Sequence, residues 1–136
     1  MSLKLAQEFA TLLNSNRYDE ASQFIGENCD YHYSEGNYHG RNNIISIFCL
    51  NHRESKKIFD ETNYSSVVEE LPDGNYRISF VDKIRKDHKW HEFRSLQILT
   101  IKENQIVNIR HSEIPGEMES LRLFYSIASS QKMNLP

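Results

Sequence analysis

Asp82 is the residue in this sequence best placed to do chemistry, because it stands where a carboxylate is out of pattern. In the stretch Asn75-Tyr-Arg-Ile-Ser-Phe-Val-Asp-Lys-Ile84, one alternate face reads Tyr76, Ile78, Phe80, Asp82, Ile84, and the other Arg77, Ser79, Val81, Lys83, Arg85. That period of two marks a strand with one buried and one wetted face. A carboxylate in the buried register either has a cationic partner, for which Arg94 and Lys83 are available, or meets a ligand in a pocket. In a pocket, desolvation would lift its pKa above the usual value of about 3.9 and suit it to removing a proton beside a carbonyl.

The aromatic residues Tyr31, Tyr33, Tyr38 and Trp90 form a second group. Phenols can donate to a developing oxyanion. They are also common strand residues that pack and find one polar partner. His39 and His111 are the histidines of interest. His88-Lys-Trp-His91 has a two-residue gap, yet no third ligand lies at useful spacing and the pair straddles an expected turn, so no metal site is expected. Cys29 and Cys49 are too few for a disulfide scaffold and read as buried thiols. Gly36 and Gly40 make no phosphate loop, and no Gly-x-Ser-x-Gly or Cys/His nucleophile pattern occurs.

These residues must be positioned by a single domain, since 136 residues suit one core. Lysine and arginine number 16 against 19 acidic residues, a net charge of −3, and no basic stripe appears, so nucleic acid is not an expected partner. The start, Met1 to Glu8, lacks the apolar centre of a signal peptide, and no run reaches the roughly 18 apolar residues of a membrane span. A cytoplasmic protein is the expectation.

The spacing predicts a helix over 3–14, with Leu5, Phe9, Leu12 and Leu13 on one face, and a short second helix over 17–25 ending at Gly26. Asn28 to Ser34 reads as a short strand, Glu35-Gly-Asn37 as a turn, and Arg41 to Ser55 as a third helix burying Ile44, Ile47 and Phe48. The C-terminal part of that helix (Asn51, His52, Arg53, Lys56, Lys57) is polar and basic, which complements the helix dipole. Strands follow over 59–71, 75–85, 90–102 and 106–114, joined by short polar turns, which makes an antiparallel meander the economical arrangement. Pro115-Gly-Glu117 opens a last helix, with Met118, Leu121, Phe124, Tyr125 and Ala128 at helical spacing.

This order, with Asn16-Arg-Tyr18 before Ala21, Cys29-Asp-Tyr-His-Tyr33 before Gly40 and Ile44, Glu103-Asn-Gln-Ile106 as the last turn and Arg110-His-Ser-Glu113 on the last strand, resembles the nuclear transport factor 2-like superfamily in its SnoaL-like and ketosteroid-isomerase-like branch. The resemblance implies an α+β fold: a cone-shaped, curved antiparallel sheet packed on three N-terminal helices, with a core over 3–114 and an extra C-terminal helix over 115–131. It implies an apolar cavity at the open end, no cofactor, a small hydrophobic ligand and a homodimer formed through the sheet.

Within that fold, Asp82, His111 and Tyr31 take the places of catalytic groups. Tyr33, Tyr38, His39, Phe59, Phe80, Trp90, Arg94 and Gln97 are the expected ligand-binding set. Glu113 and Ser112 replace the aspartate and tryptophan that the branch often carries after its histidine. The expected function is a cofactor-independent isomerase, cyclase or dehydratase acting on a hydrophobic cyclic or polyketide-like compound. The alternative is a non-catalytic dimeric module that binds a ligand or a protein.

Overall fold

The structure, a computed structural model, describes residues 2–133, with side chains as far as 126. The chain runs α1 (Ser2–Asn14), α2 (Tyr18–Ser22), β1 (Ile25–Tyr33), β2 (Gly36–His39), α3 (Arg41–Ile58), β3 (Glu61–Glu70), β4 (Tyr76–Lys86), β5 (Lys89–Lys102), β6 (Gln105–Glu113) and α4 (Glu117–Met133). The strands form one six-stranded sheet in the order β2-β1-β6-β5-β4-β3. It is curved and unclosed, and α1 and α3 pack on it with α2 lodged between them, giving the α+β cone. No helix among the described residues is long and apolar enough to cross a membrane.

The meander β3-β4-β5-β6 is antiparallel throughout, as its turns predict. Asp87 and His88 both have positive φ (51° and 67°), as do Glu103 and Asn104 (52° and 61°). Two consecutive left-handed residues match the right-handed strand twist, which is why two-residue turns suffice there. Gly74, at φ 89°, closes the remaining turn.

Differences from the sequence pattern cluster at the N-terminal edge. The second helix stops at Ser22 rather than at Ile25, because the backbone beyond it is recruited to the sheet: Phe24 O accepts from Ile106 N at 2.7 Å, and β1 runs parallel to β6. Gly26 is therefore a strand residue and not a helix cap; a Cβ there would stand 3.2 Å from the Ile106 carbonyl oxygen. Gly36–His39, expected as turn and linker, instead pairs with β1 from Tyr33↔Gly36 to Asp30↔His39 as a short edge strand.

The core fills the narrow end of the cone. Phe9, Ile25, Ile44, Ile78, Leu99, Ile106 and Ile109 are fully buried, with Ala6 and Ala10 letting α1 approach closely. Ladder register explains why the apolar content fades toward the open end. Tyr76, Leu99 and Ile109 form one cross-strand row on the concave face; Ile78, Gln97 and His111 form the next; Phe80 and Ser95 follow; then Tyr64, Asp82 and Phe93. From the second row onward the concave surface takes in polar groups, Gln97 and His111 first, then Ser95, then Asp82.

At the far end of the β4–β5 hairpin, α4 lies against β5. Phe124 stacks on the His91 ring at 5.1 Å, Lys86 Nζ sits 5.5 Å from the Tyr125 ring, and Arg94 reaches Glu117 at 3.8 Å. Ala128 falls beyond the described side chains.

Candidate functional site

The open end of the cone holds a cavity of about 190 Å³. The sheet supplies its floor through Tyr31, Tyr64, Phe80, Asp82, Ser95, Gln97 and His111, and helices supply the wall opposite. Phe48, Asn51, His52 and Ser55 of α3 all face it, and this spacing of three, four and seven puts them on one helical face. Leu13 and Asn14 close it from α1, where Asn14 Nδ2 donates to Ser66 Oγ of β3 at 2.7 Å.

Asp82 points into this cavity. No ion pair or hydrogen bond reaches its carboxylate among the described side chains, and burial raises its pKa to about 6. The two cations that could have neutralised it lie on the other side of the sheet. Arg94 is opposite Val81, on the outer face, where it pairs with Glu92 at 2.8 Å; Lys83 lies 4.0 Å from the same glutamate. A carboxyl with its pKa near 6 is divided between its acid and base forms around neutral pH, as a proton-transfer group needs.

Tyr64 stands opposite Asp82 in the β3–β4 ladder, and its hydroxyl lies 3.0 Å from His52 Nδ1. The ring of Tyr18 packs on His52 at 6.1 Å. Burial raises the pKa of both phenols, and the Asp82 carboxylate adds to the shift in each. Burial lowers the pKa of His52, with Lys56 acting in the same sense. Asp82 thus faces protonated phenols and a neutral imidazole.

A second arm comes from β1, β5 and β6. Tyr31 packs edge-on against Phe48 at 5.3 Å and lies 6.5 Å from the His111 ring. Burial, followed by Tyr33 and Tyr38, pushes its phenol up to about 12, while a hydrogen bond from Gln97 works the other way. Burial lowers the pKa of His111, opposed by Glu113. Gln97 Oε1 and His111 Nδ1 are buried without a partner among the described residues. Asp82 and His111 share the cavity without forming a hydrogen-bonded dyad, since strand β5 and the Phe80–Ser95 row lie between them.

Of the residues the sequence singles out, Asp82, His111, Tyr31, Phe80 and Gln97 meet in the cavity. The others do not line it. Tyr33 and Tyr38 stack on each other (5.5 Å, 6°) behind Tyr31, so they back the wall rather than form it. His39 is on the β2 edge strand with Nδ1 2.6 Å from Asp30 Oδ1. Phe59 caps the end of α3. Trp90 and Arg94 belong to the outer face by strand parity; Trp90 is 52% exposed and lies 5.9 Å from the Arg85 guanidinium. Conversely, pattern reasoning overlooks Tyr64, Tyr18, His52 and Asn51. Tyr64 was accessible through the hairpin register, whereas polar residues on α3 look like any solvated helix face until the cavity is seen.

No group of three or more metal-ligating side chains occurs among the described residues. The open sheet, the three helices and the cavity between them define the nuclear transport factor 2-like fold. Its solved counterparts are distant in sequence. An LEH-like epoxide hydrolase from M. tuberculosis superposes with a TM-score of 0.67 at 11% identity, covering 96% of this chain and 95% of its own. TerC, co-crystallised with polyporic acid, gives 0.67 at 7% identity over 90% and 96%. An NTF2-like protein of unknown function from Cytophaga hutchinsonii gives 0.63 at 12% identity over 88% and 95%. No family model matches the chain, and no curated protein matches it.

Proposed function

We propose that this protein binds a small cyclic compound in the cone cavity and moves a proton on it without a cofactor, with Asp82 as the base. The unpaired, half-buried Asp82 carboxyl facing the cavity carries this reading. Once the carboxylate has taken a proton from carbon beside a carbonyl, negative charge develops on the carbonyl oxygen. The Tyr64 hydroxyl across the ladder and the Tyr31 hydroxyl on the far wall are the donors available to it. Both phenols have raised pKa values, so they remain donors throughout the neutral range. His111 completes the polar wall beside Tyr31.

A cavity of about 190 Å³ lies below the usual range for drug-sized ligands, roughly 300–1,000 Å³. That volume favours one ring over a multi-ring polyketide. The test is exchange of α-protons for deuterium in small cyclic ketones that also carry a hydroxyl, such as 4-hydroxycyclohexanone, followed by NMR. Exchange above the buffer rate that Asp82→Asn abolishes supports the base. Exchange equal in wild type and variant removes it.

A second reading, a dimeric binding module, is favoured by apolar groups left on the outer face: Val67 is 69% exposed and Trp90 52%. Pairing of two copies through that face would cover them. Both readings accommodate a dimer. Light scattering at micromolar concentration checks it, and a monomeric mass counts against it.

A further inference from the structure

The cavity is rich in acceptors and poor in fixed positive charge. Among the described residues lining it, none is lysine or arginine, and Asp82 is the one carboxylate. Lys56 bears on His52 from an exposed position on α3, outside the lining. Gln97 is only 5% exposed, and its Oε1 has no donor among the described residues. A buried acceptor that lacks a donor forfeits the hydrogen bond it made with water, so a ligand N–H or O–H arriving there restores it. The His111 Nδ1 beside it is likewise unpartnered and can accept or donate according to tautomer. Aromatic rings from Tyr18, Tyr31, Phe48, Tyr64 and Phe80 make up much of the remaining wall.

We infer that the cavity selects by charge and by hydrogen-bond sense: it takes a single-ring compound that is neutral or cationic and carries O–H or N–H donors, and it rejects carboxylates and phosphates. An anion would meet the Asp82 carboxylate with no guanidinium or ammonium to neutralise either charge. A donor-bearing ring would satisfy Gln97 Oε1 at one end and Asp82 at the other, with aromatic faces around it. A cationic head would gain further from those faces. This inference names the ligand class for the site proposed above and rests on that cavity being the binding site. It does not require turnover.

The test is a set of ring compounds of one shape: benzyl alcohol, benzylamine, toluene and benzoate. Each is titrated by NMR at about pH 8, where a carboxyl with pKa near 6 is ionised. Benzyl alcohol and benzylamine are expected to bind about tenfold or more tighter than benzoate, and tighter than toluene, a gap of about 1.4 kcal/mol per factor of ten. The isosteric Asp82→Asn variant should narrow the benzoate gap, and Gln97→Leu should narrow the gap between alcohol and toluene. Benzoate binding as tightly as the alcohol overturns the inference, as does toluene doing so, or no ring compound binding at all. The ligand order can hold while wild type fails to exchange protons, in which case only the base assignment falls. Proton exchange with a preference for carboxylates sinks the selectivity and leaves the base.

Discussion

Tyr64 stands directly across the β3–β4 ladder from Asp82, and its hydroxyl is tied at 3.0 Å to His52 Nδ1 on α3. One strand pair and one helix face thereby fix a carboxyl, a phenol and an imidazole around a single cavity. The bond also joins helix to sheet at the open end, where the apolar core no longer does so. Tyr64→Phe should therefore cost about 1 kcal/mol in a urea melt, the usual net value of one hydrogen bond. It should also slow deuterium exchange more than Phe59→Leu, a change outside the cavity. Equal effects of the two would detach Tyr64 from the reaction.

The raised pKa of Asp82 has a sign that stability measurements can read. Its folded value, about 6, exceeds its ordinary 3.8, so the native state holds a proton that the unfolded chain has released. Stability falls as pH rises from about 4 to about 6, and the cost is fully present above that. Asp82→Asn should accordingly stabilise the protein at pH 7–8 by about 1–3 kcal/mol, with little change near pH 4. Denaturant midpoints at those two pH values check it; a destabilised variant at pH 8 would point to a hidden partner for the carboxylate.

His52 and His111 act in the opposite direction. Burial lowers both pKa values, so the unfolded chain binds protons first as pH falls. Their contribution is intact above about pH 6.5 and is lost progressively as pH drops below it. Replacing His111 with Gln should flatten the stability profile between about pH 6.5 and pH 5 relative to wild type. The His111 ring resonances, followed by NMR, should titrate below the usual histidine value of about 6.5.

Gly26 tests the parallel edge. Its φ does not lie in the left-handed region, so alanine would ordinarily gain by about 0.4–1 kcal/mol through the unfolded chain. Here the new Cβ would meet the Ile106 carbonyl oxygen at 3.2 Å. Gly26→Ala is expected to destabilise by about 1 kcal/mol and Gly26→Val by more. Hydrogen exchange should then show weakened protection at Ile106 N, whose partner is Phe24 O. A stabilised alanine variant would mean that the backbone there has room to spare.

Asp82 was visible in the sequence because strand parity is a local property: its neighbours Phe80 and Ile84 declare which face is buried. The turns at 72–75, 86–89 and 103–105 were legible for the same reason, since Gly, Asn and Asp set backbone angles within a few residues. The four-strand meander and the row containing Gln97 and His111 follow from them. Arg94 and Trp90 are the instructive misses. Their residue types suit a pocket, but the tight turn at Asp87-His88 fixes the register so that both fall on the outer face, one residue out of phase with Phe93 and His91.

What only the tertiary structure decided is what lies across the cavity from the strands. The sequence by itself determined the period of each element and therefore which side chains share a face. It could not determine that the polar face of α3 turns inward, because Asn51, His52 and Ser55 satisfy a solvated helix pattern equally well. Nor could it show that the second helix gives up its last turn to parallel pairing with β6, a bond between residues some eighty positions apart. Local sterics and alternation act over two to four residues, whereas the cavity is enclosed by long-range packing that no short window contains.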